Sequence, residues 1–306
     1  MTHNADLSGL RILAVHAHPD DEVLFTGGML ADMAARGADV RLITCTLGEE
    51  GEVIGETYQG LARADMLGGL RAGELADSCA ALGIDHELLG GATHFRDSGM
   101  AGAASHANPQ ALVNRVEEAT EVLRERIAQL DPHIIFTYGP DGGYGHPDHI
   151  AVHQATHAAA GHERRIWWAV FERTATRAAL AEMTPPEGWQ LPPQAYLDNF
   201  TNEGADVVYP LDETALAAKR AALAAHATQI WVADGTTSYT NPVAAHAHAG
   251  DPALAPTGYA LSNLYLMPLA RAEHVQAGQA CPSADDLQQS SATGAAALLA
   301  GLRADD

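Results

Sequence analysis

The sequence predicts an α/β fold: a mostly parallel sheet flanked by helices on both faces, followed by a loop-rich C-terminal subdomain. Three observations carry this reading. Short apolar runs alternate with stretches of helical periodicity through the first 160 residues. The intervals between those runs suit crossover helices, which give parallel neighbours, rather than hairpins. Beyond that point the regularity gives way to sequence punctuated by Pro and Gly.

Taken in order, residues 11–16 (Arg-Ile-Leu-Ala-Val-His) read as a buried strand, and the apolar 29–35, opened by Gly27-Gly28, as the helix after it. Residues 39–45 read as a second strand, about 60–82 as a long helix ending at Gly83, and 86–89 as a short third strand. Helical periodicity over 110–130 stops before Asp131-Pro132, 133–138 is a fourth strand, and 148–160 a helix. Later, 165–171 and 206–210 are strand-like, 212–228 is an Ala-rich helix and 234–258 a loop. Pro185-Pro186 and Pro192-Pro193 bracket a further loop-rich stretch. The tail is rich in Ala, Ser and Gln, with a short amphipathic piece near 294–303. This divides the chain into a catalytic part over 1–170, a C-terminal subdomain packed on the sheet over 171–280, and a low-complexity tail over 281–306.

Composition narrows the function. A chain of 306 residues at 47% hydrophobic can bury a sizeable core. Lys+Arg number 17 against 39 Asp+Glu, a net charge of −22. That disfavours nucleic acid and anionic membrane surfaces, both of which need basic patches to replace counterions. No run of 18 apolar residues lacks a charge, so no transmembrane helix is expected. The three cysteines, Cys45, Cys79 and Cys281, are odd in number and widely spaced, which points to a reducing cytoplasm rather than a disulfide framework. The segment from Met1 to Asp6 lacks the basic start and apolar core of a signal peptide.

The chemistry is concentrated in two segments, His16-Ala17-His18-Pro19-Asp20-Asp21-Glu22 and Gly142-Gly143-Tyr144-Gly145-His146-Pro147-Asp148-His149. The first follows the first strand and the second follows the fourth, the carboxyl-end positions where open parallel sheets place their ligand sites. A catalytic zinc site wants three His or carboxylate ligands and one open position. His18 and Asp21 are three residues apart, and a helix entered at Pro19 aims both at one point. His149 is the natural third ligand. Asp20, the spare carboxylate, is then free to act as general base. His146 is positioned to stabilise an oxyanion and protonate a leaving amine, Asp148 to hold His146 and raise its pKa, and Tyr144 to assist at the oxyanion. Gly142, Gly143 and Gly145 allow a tight backbone there. These parts describe metal-assisted amide hydrolysis. The ligand set suits one Zn²⁺ per subunit and would also accept Fe²⁺. His16 reads as support from behind the site. Most remaining histidines, His226 among them, read as surface residues.

His18-Pro19-Asp20-Asp21-Glu22 together with His146-Pro147-Asp148-His149 resembles the LmbE/PIG-L family of zinc-dependent N-deacetylases. Thr46 to Gly55, Arg96-Asp97-Ser98-Gly99-Met100-Ala101-Gly102 and Ala225-His226-Ala227-Thr228-Gln229 resemble its mycothiol-pathway branch, and the similarity runs from about residue 11 to about 280. The resemblance implies a Rossmann-like fold, His18, Asp21 and His149 as zinc ligands, Asp20 as base, and His146, Tyr144 and Asp148 in the roles above. It also implies that Arg71 and Asp97 hold sugar or inositol hydroxyls; the alternative for Arg71 is an ion pair with Glu74 on a helix surface. The implied substrate is a small molecule, 1-O-(2-acetamido-2-deoxy-α-D-glucopyranosyl)-1D-myo-inositol, deacetylated to the free amine. The alternatives are the sister amidase of mycothiol S-conjugates and a non-catalytic sugar-binding protein on the same fold. A flavodoxin-like nucleotide binder is a poor third reading, because no Gly-rich phosphate loop follows the first strand.

Overall fold

The computed structural model describes residues 6–290 and 293–302. Its centre is a seven-stranded sheet built from β1 (Arg11–His16), β2 (Asp39–Thr44), β3 (Asp85–Leu88), β4 (Ile134–Thr137), β5 (Arg165–Val170), and two later strands, β7 (Val207–Pro210) and β12 (Ala272–Gln279). The order is β3-β2-β1-β4-β5-β12-β7. β1 to β5 pair in parallel, while β12 runs antiparallel to both β5 and β7. The other strands are two or three residues long: β6 (Met183–Thr184) pairs with β9 (His248–Ala249), and β8 (Trp231–Val232) and β11 (Met267–Pro268) flank β10 (Gly258–Ala260).

Helices cover both faces. On one side α1 (Asp21–Ala35), α3 (Leu67–Leu82) and α9 (Glu213–Ala225) pack together; on the other, α4 (Val116–Leu130) lies against α6 (Pro147–Ala160). The central strands read as unbroken apolar runs because both of their faces are buried: Ile134, Ile135 and Phe136 are fully enclosed. Among the described residues no helix is long and apolar enough to cross a membrane.

Several elements differ from the sequence reading. The helix after β1 starts at Asp21, not at Pro19, because Asp20 sits in the left-handed region at φ 103° and ends the preceding turn. The long helix over 60–82 is two helices, α2 (Gln59–Arg63) and α3, separated where Asp65 takes φ 54°. Residues 112–114 form a 3₁₀ turn that precedes α4. β12 is the longest strand of the sheet and was not expected at all. Its inward side carries Glu273, whose carboxylate accepts from Gly28 N and Met29 N of α1 at 2.8 and 2.7 Å and pairs with Lys219 of α9 at 2.6 Å. An inward carboxylate breaks the apolar alternation by which a strand is recognised.

Residues of the 171–280 stretch thus supply two strands to the central sheet and share its core. Within the tail, Ala295–Leu299 is a short helix (α11); Leu298 is fully buried, and its carbonyl accepts from Arg165 Nη1 at 2.8 Å. Residues 1–5, 291–292 and 303–306 lie outside the described part, and with them most of the N-terminal segment and the end of the amphipathic piece.

Candidate active site

β1 and β4 are neighbours in the sheet, and the chain leaves them in opposite directions, β1 toward β2 and β4 toward β5. Their carboxyl ends therefore flank the crevice at the switch point of the sheet. The first motif lies in the turn from β1 into α1, and the second in a distorted turn, α5 (Gly142–Gly145), and the start of α6. Gly142, Gly143 and Gly145 have φ of 65°, 79° and 82°, so this turn needs residues without a Cβ.

His18, Asp21 and His149 meet in space. His18 Nδ1 lies 3.3 Å from Asp21 Oδ2, His149 Nε2 lies 3.3 Å from the same oxygen, and the two ring nitrogens are 3.3 Å apart. Ligand atoms about 2.0–2.1 Å from a tetrahedral ion stand about 3.3–3.4 Å apart, so this triangle has the edge length of one face of such a site. All three side chains are buried.

The outer nitrogen of each imidazole is also satisfied, and Asp21 is held through the oxygen that faces the two rings. His149 Nδ1 is 3.0 Å from the Gly142 carbonyl, which fixes its proton there and leaves Nε2 for an ion. His18 Nε2 faces Asp148 at 3.2 Å and Asp97 at 3.4 Å, leaving Nδ1 inward. Asp21 Oδ2 accepts from the His18 backbone N at 2.9 Å and from the Tyr138 hydroxyl at 2.6 Å. Burial alone would raise the Asp21 pKa, but the two imidazoles hold it well below the usual carboxylate range. Two other groups also converge, His18 with His146 and His149, and His18 with Asp97 and Asp148, each with ligand atoms within 4.8 Å. Asp97 and Asp148 face the nitrogen of His18 that points away from Asp21.

Asp20 stands at the N-terminus of α1, its carboxylate 3.1 Å from Arg71 Nη2. Burial pushes this carboxyl up to about 6, with Arg71 pulling it down and Asp21 pushing it up. His146 caps α6: its Nδ1 accepts from Asp148 N at 3.2 Å, which leaves Nε2 for the site. Its ring centroid is 4.6 Å from His18 and 4.8 Å from His149. The half-buried Tyr144 ring stands 5.0 Å from His149 and stacks on Phe200 of α8 (Gln194–Phe200) at 5.3 Å.

Several sequence-derived contacts are corrected. The Asp148 carboxylate does not bond His146; it faces His18 and is held by Ser98, whose N and Oγ both donate to it. Adjacency along the chain puts only the backbone N of Asp148 on His146. Arg71 does not pair with Glu74, which instead accepts from Thr228 and Tyr239. Arg71 is buried, and both terminal nitrogens face protein groups. Asp97 is likewise enclosed, accepting from Gly99 N at 2.8 Å and Glu50 N at 3.1 Å. His226, read as surface, is fully buried and bonded to Glu22 Oε1 at 2.6 Å. His16 turns to Thr26 at 3.2 Å. The sequence reading missed Tyr138 and Ser98, although both adjoin residues it singled out, the end of the fourth strand and Asp97.

Comparison with known proteins places this geometry in context. The family model described as PIG-L, GlcNAc-PI de-N-acetylase, matches residues 13–160. A 1D-myo-inositol 2-acetamido-2-deoxy-alpha-D-glucopyranoside deacetylase of Corynebacterium glutamicum (strain R) is 51% identical over 280 residues, covering 90% of this chain and 94% of the relative. A protein of the same name from Rhodococcus jostii (strain RHA1) is 48% identical over 253 residues, covering 76% and 86%. Among solved structures, a deacetylase triple mutant of the teicoplanin biosynthetic pathway has 22% identity and a TM-score of 0.47, covering 72% of this chain and 82% of its own.

Proposed function

The chain belongs to the PIG-L family, and from that premise we propose that it is a zinc-dependent N-deacetylase of 1-O-(2-acetamido-2-deoxy-α-D-glucopyranosyl)-1D-myo-inositol, releasing acetate and the free amine that mycothiol synthesis requires. The observation that carries the reading is the triangle of His18 Nδ1, Asp21 Oδ2 and His149 Nε2 with edges of 3.3 Å, beside a carboxylate that is not part of it. The substrate follows the relatives, which carry that name at about half identity over most of the chain. The free Cys45, Cys79 and Cys281 are consistent with action in the cytoplasm.

His18, Asp21 and His149 would hold the ion. A bound divalent ion there would polarise the amide carbonyl and make water acidic. Asp20 takes one proton from the attacking water as the carbon–oxygen bond forms. His146 accepts from Asp148 N through Nδ1, and burial with the neighbouring His18 and His149 pushes its pKa down rather than up, so the ring stays neutral. It donates Nε2–H to the developing oxyanion, while the proton held by Asp20 passes to the nitrogen as the carbon–nitrogen bond breaks. Tyr144 adds its phenol to the same oxyanion. Asp148 orients His18 in this scheme, because its carboxylate is spent on that ring.

The test is acetate release from the glucosaminide by protein stripped of metal and reloaded. We expect activity to vanish on chelation and return with Zn²⁺; return with Fe²⁺ alone would replace the metal but keep the chemistry. Asp20→Asn should retain zinc and lose about 10²–10⁴-fold in kcat. Survival of turnover in that variant would favour the non-catalytic sugar-binding reading, and faster turnover of a mycothiol S-conjugate would favour the amidase.

A further inference from the structure

We propose that Glu22 is a positioning residue for Asp20: its carboxylate holds the Asp20 backbone in the conformation that frees the Asp20 side chain from the helix start. The inference rests on the reading of Asp20 as the base. Asp20 is the residue from which α1 begins. An acidic residue there ordinarily has an extended backbone and spends its carboxylate on the first helix amides. Asp20 does neither. Its φ and ψ are 103° and −28°, and among the described residues its carboxylate accepts no bond from the amides of α1. Only the backbone caps, the Asp20 carbonyl accepting from Val23 N at 3.2 Å and Leu24 N at 2.9 Å.

A residue with a Cβ rarely adopts such a φ, and the conformation persists only where the surroundings enforce it. Glu22 supplies the enforcement: its Oε2 accepts from Asp20 N at 2.9 Å. In the usual reciprocal cap the returning carboxylate comes from the third helical residue, and the capping side chain is spent in exchange. Here it comes from the second helical residue, and only this half of the exchange is made. The Asp20 carboxylate is thereby left over for other partners, with Oδ2 standing 3.1 Å from Arg71 Nη2.

Glu22 can serve as a fixed point because two other helices hold it in turn. It is fully buried. Its Oε1 accepts from Ser78 Oγ of α3 at 2.6 Å and lies 2.6 Å from Nε2 of His226, the residue that ends α9. α1, α3 and α9 thus meet at one carboxylate, and its second oxygen faces the N–H of the base. A carboxylate that served only to tie the helices together would need Ser78 and His226. The bond from Asp20 N is the one that reaches the site.

The experiment measures kcat and KM at saturating zinc, zinc content and thermal melting for Glu22→Met, Glu22→Gln and Ser78→Ala, each in the native and the Asp20→Asn background. We expect Glu22→Met to lower kcat by about 10–100-fold, the scale on which misplacing a reacting group acts, with KM within about twofold. Glu22→Gln keeps an oxygen for Asp20 N and turns its amide to Ser78 and His226, each of which can accept as well as donate. Most of the lost kcat should return in that variant. Ser78→Ala loosens the carboxylate without removing it. It should lower kcat by a smaller factor in the same direction, and it keeps the test open if Glu22→Met does not fold. In the Asp20→Asn background none of the three should remove much more. A helix tie alone would lower the melting temperature and leave kcat per zinc-loaded molecule unchanged. That result, a Gln variant as slow as the Met variant, or equal losses in both backgrounds would overturn the inference. An Asp20→Asn protein with undiminished kcat is a different result, which removes the base reading itself.

Discussion

Asp148 Oδ2 lies 3.2 Å from Nε2 of His18, and its two oxygens also accept from the N and Oγ of Ser98, so the carboxylate serves a ligand of the first motif rather than its chain neighbour His146. A carboxylate behind a metal-binding imidazole fixes the tautomer and strengthens the ligand. Asp148→Asn should therefore weaken zinc affinity about 10–100-fold, read by competition with a chelator, and activity should largely return at saturating zinc. An unchanged affinity would show that the His18 pairing has no bearing on the ion.

Tyr138 joins both sides of the site. Its hydroxyl accepts from Ala17 N at 2.8 Å and donates to Asp21 Oδ2 at 2.6 Å. Tyr138→Phe leaves both fully buried partners short of a bond. It should cost about 1–3 kcal/mol in denaturant unfolding of the metal-free protein, and zinc affinity should fall as well.

The turn that carries Tyr144 is gripped by α8 and the residues after it. Phe200 stacks on the tyrosine ring, Asn199 Nδ2 lies 3.4 Å from its carbonyl, and Asn202 Nδ2 donates at 2.9 Å to Asp141, the N-cap of the turn. Phe200→Leu should lower kcat by about tenfold where Tyr144 is present. It should do little more in a Tyr144→Phe background, and equal losses in both would separate Phe200 from Tyr144.

Lys219 and Glu273 form a buried pair that also takes up backbone groups of α1, Lys219 donating to the Leu24 carbonyl at 3.2 Å. Removing one partner strands the other charge. Lys219→Met should destabilise the fold by about 3–5 kcal/mol, measured by urea unfolding, with zinc stoichiometry unchanged in the protein that remains folded.

His226 gives stability a pH dependence of defined sign. Burial alone would lower its pKa, but the adjacent Glu22 carboxylate raises it above the ordinary imidazole value. A raised folded-state pKa contributes stability that is fully present below about 6.5, the unfolded value, and is lost as pH rises through the folded value. The melting temperature of the native chain should exceed that of His226→Gln most at about pH 6 and converge on it toward pH 9. A gap that widened with pH would contradict a charged His226–Glu22 pair.

The sequence by itself determined the five parallel strands, the helices between them, and the placement of both histidine-carboxylate motifs just past strand ends, because burial on both faces writes apolar runs and turn residues directly into the chain. It also made His18 and Asp21 an expected ligand pair, since a three-residue spacing is a local fact, and offered His149 from the second motif as the third. What it left open is non-local. β12 is hidden because Glu273 on its inward side is matched by Lys219, 54 residues away. Asp148 finds His18 across 130 residues and Arg71 finds Asp20 across the gap between α3 and α1. Periodicity reports which face of an element is buried. Which carboxylate meets which cation inside that burial is decided only when the sheet order brings β1 beside β4 and α3 beside α1.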